Sequence, residues 1–421
     1  MKEEYKLIEH SSSENTLELS KEEVNNESSQ SSVCINIVES KHEQEQHIEP
    51  PKKKPRIYWA DCLRIYSMFN IILLHCSSSN FERSLAQRSD PHVIFPCIYN
   101  CLSRFAVPVF VMLSGTFFLN PKKKFSLKRL IKRNITRLLT AYLFWDGVNS
   151  IVYSMGSPEV TTIFSLEFVK KFTILFLRGE EYLWFILMII GCYICIPILR
   201  YFTGDKFALR YFLGLWLVWY CVVPMSIDIL SMFNLEVIKS IFEVWVERIH
   251  FHMTLDYLGY FVAGYYIFEY VNIESIKYRI IVYIIGFIDV LAIIIPSIVY
   301  ELINKDLYYY LRSRYYSITI IIYSVTLVIF FKHEIGRIKF SERAGKIITK
   351  MSSYTFGIYL SHMLIRNILV LKCNLNADRL GKNIHYSPLF GIPILVLITS
   401  GISITICLVI SYIPILNKYV M

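Results

Sequence analysis

The chain has 421 residues, of which 54% are hydrophobic and 15% aromatic, while only 19% are charged. Soluble domains carry roughly 25% charged residues, and one soluble core could not hide this much apolar surface, so the composition predicts a membrane protein. The formal charge of +10 is not the mark of a nucleic-acid binder, because residues 1–50 hold four Lys against twelve Glu, a net −8, and the remainder carries +18.

Residues 1–50 are rich in Glu, Ser, Gln and Asn and read as a disordered acidic tail. They hold no apolar core followed by a cleavage site, so no signal peptide is expected. Pro50-Pro51-Lys52-Lys53-Lys54-Pro55-Arg56 has the look of a nuclear localisation signal. Directly before an apolar span it reads instead as a cytoplasmic juxtamembrane anchor. The expected organisation is a tail and anchor over 1–56 and a transmembrane domain over 57–421.

That domain is predicted to be all-α and polytopic. Ten apolar stretches are long enough to cross ~30 Å of hydrocarbon at ~1.5 Å per residue. They run over 57–78, 96–119, 134–155, 182–200, 208–227, 254–271, 279–300, 315–331, 354–372 and 387–413. Asp146 interrupts the third and Asp256 opens the sixth. With the N-terminus in the cytoplasm, the inner segments hold 23 Lys and Arg against 13 in the outer loops. This bias predicts both termini on the cytoplasmic side. Between the third and fourth spans, 160–181 is too polar to cross. Its apolar residues recur at helical spacing, as in a helix lying on the outer surface. Cys192 and Cys195 form a CxxC with no second pair, and no metal is expected.

Four arginines fall inside or at the ends of spans: Arg64, Arg104, Arg137 and Arg366. Each costs at least a few kcal/mol to insert and asks for a reason. Arg64 and His75 are eleven residues apart, which on a helix is three turns plus ~20°, so they share a face ~16 Å apart along the axis. Asp61, one turn before Arg64, is in place to pair with it. Arg104 opens the second span near the depth of His75. Arg133 and Arg137, at i and i+4, leave the most basic inner loop on one face. Anionic lipid or a phosphate-bearing cosubstrate from the cytosol would suit them. His362 and Arg366 share a face in the ninth span.

These residues are familiar as a set. Asp61-Cys-Leu-Arg64 through His75 resembles the opening Arg-x10-His motif of the acyltransferase family 3 membrane proteins. Arg104 through Pro108 to Ser114-Gly115 resembles that family's second helix. Lys132-Arg133-x3-Arg137 with Phe144-Trp145, Leu183-Trp184-Phe185 with Pro197, the Tyr257–Tyr265 stretch with Gly259 and Gly264, and Phe356-Gly-Ile-Tyr-Leu-x-His362 resemble later segments in order. The resemblance spans roughly 57–413 and is nearest to the surface-polysaccharide O-acetyltransferases. The chain departs from the pattern at Tyr182, where the family often has His before Leu-Trp-Phe, and at Arg133-x3-Arg137, where it often has Arg-x-x-Arg.

The resemblance implies transfer of an acyl group, usually acetyl from acetyl-CoA, to a sugar hydroxyl of a glycan or glycolipid in the lipid bilayer. It places His75, Arg64 and Arg104 in the catalytic set. Arg133, Arg137 and His362 would hold the donor, and Trp184 and Tyr182 would meet the acceptor. His75 would act either as general base or as an acyl carrier. Arg104 would stabilise the oxyanion, and His362 would lie deeper, along the donor channel. A transporter is the rival reading, since it would use the same intramembrane ions, but no inverted repeat is apparent.

Overall fold

Helix follows helix from Tyr58 to Tyr419 in the computed structural model, with no strand among the described residues, which are 56–86, 94–157, 160, 162–163, 165–249, 256–303, 315–373, 375 and 387–421. The expected tail and most of its basic anchor lie outside them. A chain this apolar must satisfy its backbone groups internally, and helices do so within each segment.

The chain opens with α1 (Tyr58–Ala86), α2 (Ile94–Ser103) and α3 (Ala106–Phe118). Pro108 has no N–H to give the carbonyl of Arg104, and α2 and α3 part at Arg104-Phe105. A π-helical stretch, Leu130–Ile135, leads into α4 (Thr136–Met155). The expected surface helix is α5 (Leu166–Arg178), capped by the Ser165 side chain, which accepts from the Phe168 amide at 3.2 Å. Next come α6 (Trp184–Ile194) and α7 (Ile196–Phe202), then α8 (Lys206–Trp216), α9 (Val223–Met232) and α10 (Glu236–Ile249). The last group is α11 (Leu258–Tyr270), α12 (Ile276–Ile303), α13 (Ile318–His333), α14 (Glu342–Asn367), α15 (Ser387–Ser411) and α16 (Pro414–Tyr419).

Helices stand at all ten expected positions. Five stretches are long and apolar enough on their own to cross a membrane: Ile94–Phe118, Lys206–Met232, Ile276–Val299, Ile318–Arg337 and Pro388–Ser411. A bent pair, Leu166–Ile194 with Ile196–Phe202 at 49°, makes a sixth if taken as one span. The others fall short for physical reasons. In α1 and α4 the polar residues that lower the average, Asp61 and Asp146, are turned inward and buried. As described, α11 rises only about 20 Å, and the start of its expected span lies outside the described residues.

The helix α1 is central, packing on α2, α3, α13, α14 and α15. By contrast α12 turns Ile280, Ile281, Ile284, Ile285, Phe287 and Ile288 outward, the dress of a lipid-facing helix. The helices α3 and α11 approach each other at backbone distance. A Cβ on Gly115 would lie 1.7 Å from the Phe261 carbonyl oxygen, and one on Gly264 would lie 1.9 Å from that of Met112. Only glycine permits this approach, and Thr116 Oγ1 bridges it by donating to the Gly264 carbonyl at 3.0 Å.

Cations at the basic end of the bundle do more than face lipid. Lys332 Nζ donates to the carbonyls of Ile267, Phe268 and Val271 at 2.9, 2.9 and 2.6 Å, closing the C-terminus of α11. Arg200 does the same beyond α3, reaching Phe118, Asn120 and Lys123 carbonyls.

Candidate active site

At the basic end, α1, α3, α4, α6 and α14 enclose a cavity of ≈ 650 Å³. Arg64, Arg129, Arg133 and Arg137 line it, with Tyr193 and Ser352. The sequence spread these arginines over 74 positions, and helix packing brings them to one space. Phe110, Phe185, Ile189 and Tyr359 also line the cavity, so an apolar wall accompanies the cationic one. Four guanidiniums beside an apolar wall suit a ligand with several phosphates and an uncharged arm.

Arg64 is anchored as its spacing to Asp61 predicts, with one addition. Its Nη1 lies 3.6 Å from Asp61 Oδ1, and Ser352 stands between the charges. Ser352 Oγ accepts from Arg64 at 3.2 Å and donates to Asp61 at 2.6 Å. Arg137 stacks over the Phe356 ring at 5.7 Å and donates to the main-chain oxygen of Met421. Arg133 sits in the π-helical stretch and Arg137 just after it. A π turn takes up one residue more than an α turn. This is the place where Arg133-x3-Arg137 is one residue longer than Arg-x-x-Arg, and both side chains still reach the cavity.

Beyond the cavity lie two histidines. The half-buried His75 ring is 5.2 Å from the ring of His362, tilted by 44°. His362 is wholly buried, and its Nδ1 is in hydrogen-bond contact with the Tyr359 carbonyl. A carbonyl can only accept, so Nδ1 carries the proton and Nε2 of the neutral ring carries a lone pair. That Nε2 is buried without a hydrogen-bond partner. The resemblance implies a place for His362 on the donor channel, deeper than His75. The two rings instead meet, and it is Tyr359, one turn earlier on α14, that lines the cavity.

Tyr182 closes the back of this pair, its ring edge-on to His362 at 5.7 Å. Its hydroxyl donates to the Leu360 carbonyl at 2.7 Å and accepts from Asn149 Nδ2 at 2.9 Å. The Tyr182 carbonyl in turn accepts from Tyr359. With 5% exposure, Tyr182 buttresses α14 from within. Trp184 is 39% exposed and meets Tyr257 at 5.4 Å and Tyr315 at 6.3 Å, an aromatic surface of the kind that stacks on sugars. Arg104 is held by Asn100 Oδ1, which accepts from Nε at 3.0 Å and Nη2 at 2.9 Å. Asn100 also donates to Ser78, one turn past His75, so Arg104 is tied to the same stretch of α1.

Sequence reasoning missed Ser352, Tyr193 and Asn149. Each is an unremarkable polar residue in its own helix and acquires a role only across a helix contact. Tyr359 stood inside the motif that flagged His362 and could have been found there. Among the described residues no group of three His, Cys, Asp or Glu is placed to hold a metal ion.

An all-helical membrane bundle with an arginine-lined cavity beside paired histidines fits the resemblance noted from the sequence. A family model described as an acyltransferase domain matches residues 57–412. The chain belongs to acyltransferase family 3 and is an integral membrane acyltransferase. No curated protein and no solved structure matches it.

Proposed function

We propose that this protein moves an acetyl group from cytosolic acetyl-CoA to a sugar hydroxyl of a glycan or glycolipid at the opposite face of the plasma membrane, with both chain termini cytoplasmic. The observation that carries the reading is the cavity of ≈ 650 Å³ lined by Arg64, Arg129, Arg133 and Arg137. Arg133 and Arg137, with Arg64 deeper, bind the donor phosphates, because guanidinium stays charged and makes forked contacts to phosphate oxygens. The pantetheine arm follows the apolar wall toward His75, ~16 Å along α1 from Arg64.

His75 removes the proton of the attacking hydroxyl. The hydroxyl oxygen bonds to the acyl carbon, the carbon–sulfur bond breaks, and the proton passes from His75 to the departing sulfur. Arg104, pinned by Asn100, stabilises the charge that develops on the acyl oxygen. Trp184 and its tyrosine neighbours offer the acceptor a stacking face.

The test is labelled acetyl-CoA supplied to membranes that contain the protein. Acetylated glycan and free CoA are expected in equimolar yield. Passage of label across the membrane with no acetylated product would overturn the reading in favour of a carrier.

A further inference from the structure

The proposed function gives His75 the proton and leaves His362 without a chemical task. Three observations make His362 more than a packing residue. Its Nδ1 is spent on the Tyr359 carbonyl, which fixes the ring tautomer. Its Nε2 is a buried acceptor with no partner. The ring is held on its other sides by Tyr182 and Tyr359, both at 5.7 Å. A buried acceptor left unpaired costs ~1–3 kcal/mol, so the fold carries this nitrogen at a penalty.

The partner it lacks is at hand. With ring centroids 5.2 Å apart, and each nitrogen about 1.1 Å from its centroid, facing nitrogens can approach to about 3 Å, hydrogen-bond range. Rotation of the half-buried His75 ring about its Cβ–Cγ bond is the motion that would bring the two nitrogens to face each other. His362 is sealed and His75 is the more open of the two, so substrate reaches His75 and His362 stands behind it.

We infer that His362 is the positioning residue of His75: its Nε2 accepts an N–H from the His75 ring and fixes the tautomer whose other nitrogen faces the substrates as a lone pair. The chain of contacts is Tyr359 carbonyl, His362, His75, then substrate hydroxyl. It does with a neutral imidazole what a carboxylate does behind other catalytic histidines. When His75 takes up the hydroxyl proton, its second N–H still donates to His362, and the proton leaves with the thiol. His362 itself gains and loses nothing. A neutral acceptor fits this site. Arg104 and Arg366 are the cations near His75, Arg366 is also near His362, and Tyr182 and Tyr359 are the other titratable groups against His362. The inference rests on the acyl-transfer reading.

The test compares His362→Leu with His362→Gln in the full-length chain, using labelled acetyl-CoA and acceptor membranes. Rates are normalised to the protein that still binds immobilised CoA. His362→Leu should lower kcat about 10²–10⁴-fold with the acetyl-CoA KM within about threefold. His362→Gln, whose amide oxygen can accept the same N–H, should recover at least about tenfold of that loss. Equal rates in the two variants, at any level, would overturn the inference, as would a loss carried by KM alone. His75→Ala run alongside separates the two claims. If it is inactive while His362→Leu matches the parent, only the role of His362 fails. If His75→Ala is itself fully active, His75 is not the proton carrier and the inference about His362 falls with it, whereas a parent protein that transfers no acetyl group would sink the acyl-transfer reading itself.

Discussion

Ser352 on α14 donates a hydrogen bond to Asp61 on α1 over 2.6 Å. The same hydroxyl accepts from Arg64 at 3.2 Å, so one serine holds the angle at which a buried carboxylate and a cavity arginine meet. Replacing it by alanine takes one donor from Asp61 and one acceptor from Arg64, and loosens the contact between α1 and α14 at this point. Ser352→Ala should cost about 1–3 kcal/mol of stability and raise the acetyl-CoA KM several-fold with little change in kcat. Thermal unfolding in detergent and donor kinetics check both halves.

The double variant Arg133→Ala with Arg137→Ala removes two of the four guanidiniums from the cavity. The acetyl-CoA KM should rise about 10²-fold, since each phosphate contact to a charged donor is worth ~1.5–3 kcal/mol. A dephosphorylated donor analogue should lose less than the parent donor does. Titration of donor concentration in membranes reads both.

The contact between α3 and α11 has no room for a side chain. Gly115→Ala or Gly264→Ala pushes a Cβ into a backbone carbonyl at 1.7 or 1.9 Å, so the helices must separate. Such overpacking typically costs ~1–3 kcal/mol, occasionally more. Each variant should lower the apparent melting temperature by several degrees, measured on protein extracted in mild detergent.

The helix positions were legible in the sequence because apolar length is a strong signal. Helix Leu166–Arg178 was legible from the helical spacing of its apolar residues. Helix Glu236–Ile249 was not foreseen. It has no buried residue, and its Val237, Ile238, Ile241 and Trp245 are exposed on a stretch otherwise broken by charge. At the site, Arg64 and Asp61 were readable as a local pair because they are one turn apart. Arg133 and Arg137 could be joined to Arg64 only by their expected phosphate chemistry, and they do share its cavity. The meeting of His75 with His362 could not be read at all. It depends on how α1 packs against α14, 287 residues later, and no one-dimensional pattern carries that register.

Tyr182 tests whether an aromatic residue at the start of the fourth expected span acts on substrate or supports α14. Its hydroxyl is committed to Leu360 and Asn149. Tyr182→Phe leaves that carbonyl and that amide short of a partner and should destabilise the protein by about 1–3 kcal/mol. Acceptor KM should move less than twofold, because the hydroxyl faces the interior. A selective rise in acceptor KM without loss of stability would instead make Tyr182 a substrate contact.

The central claim is that His75 performs the proton transfer of acyl transfer, fed by a donor held among the arginines. The most direct measurement is acetyl incorporation from labelled acetyl-CoA by His75→Ala, beside its binding to immobilised CoA. The account predicts incorporation lowered at least about 10³-fold with CoA binding within about threefold of the parent. Parental incorporation by His75→Ala would contradict it.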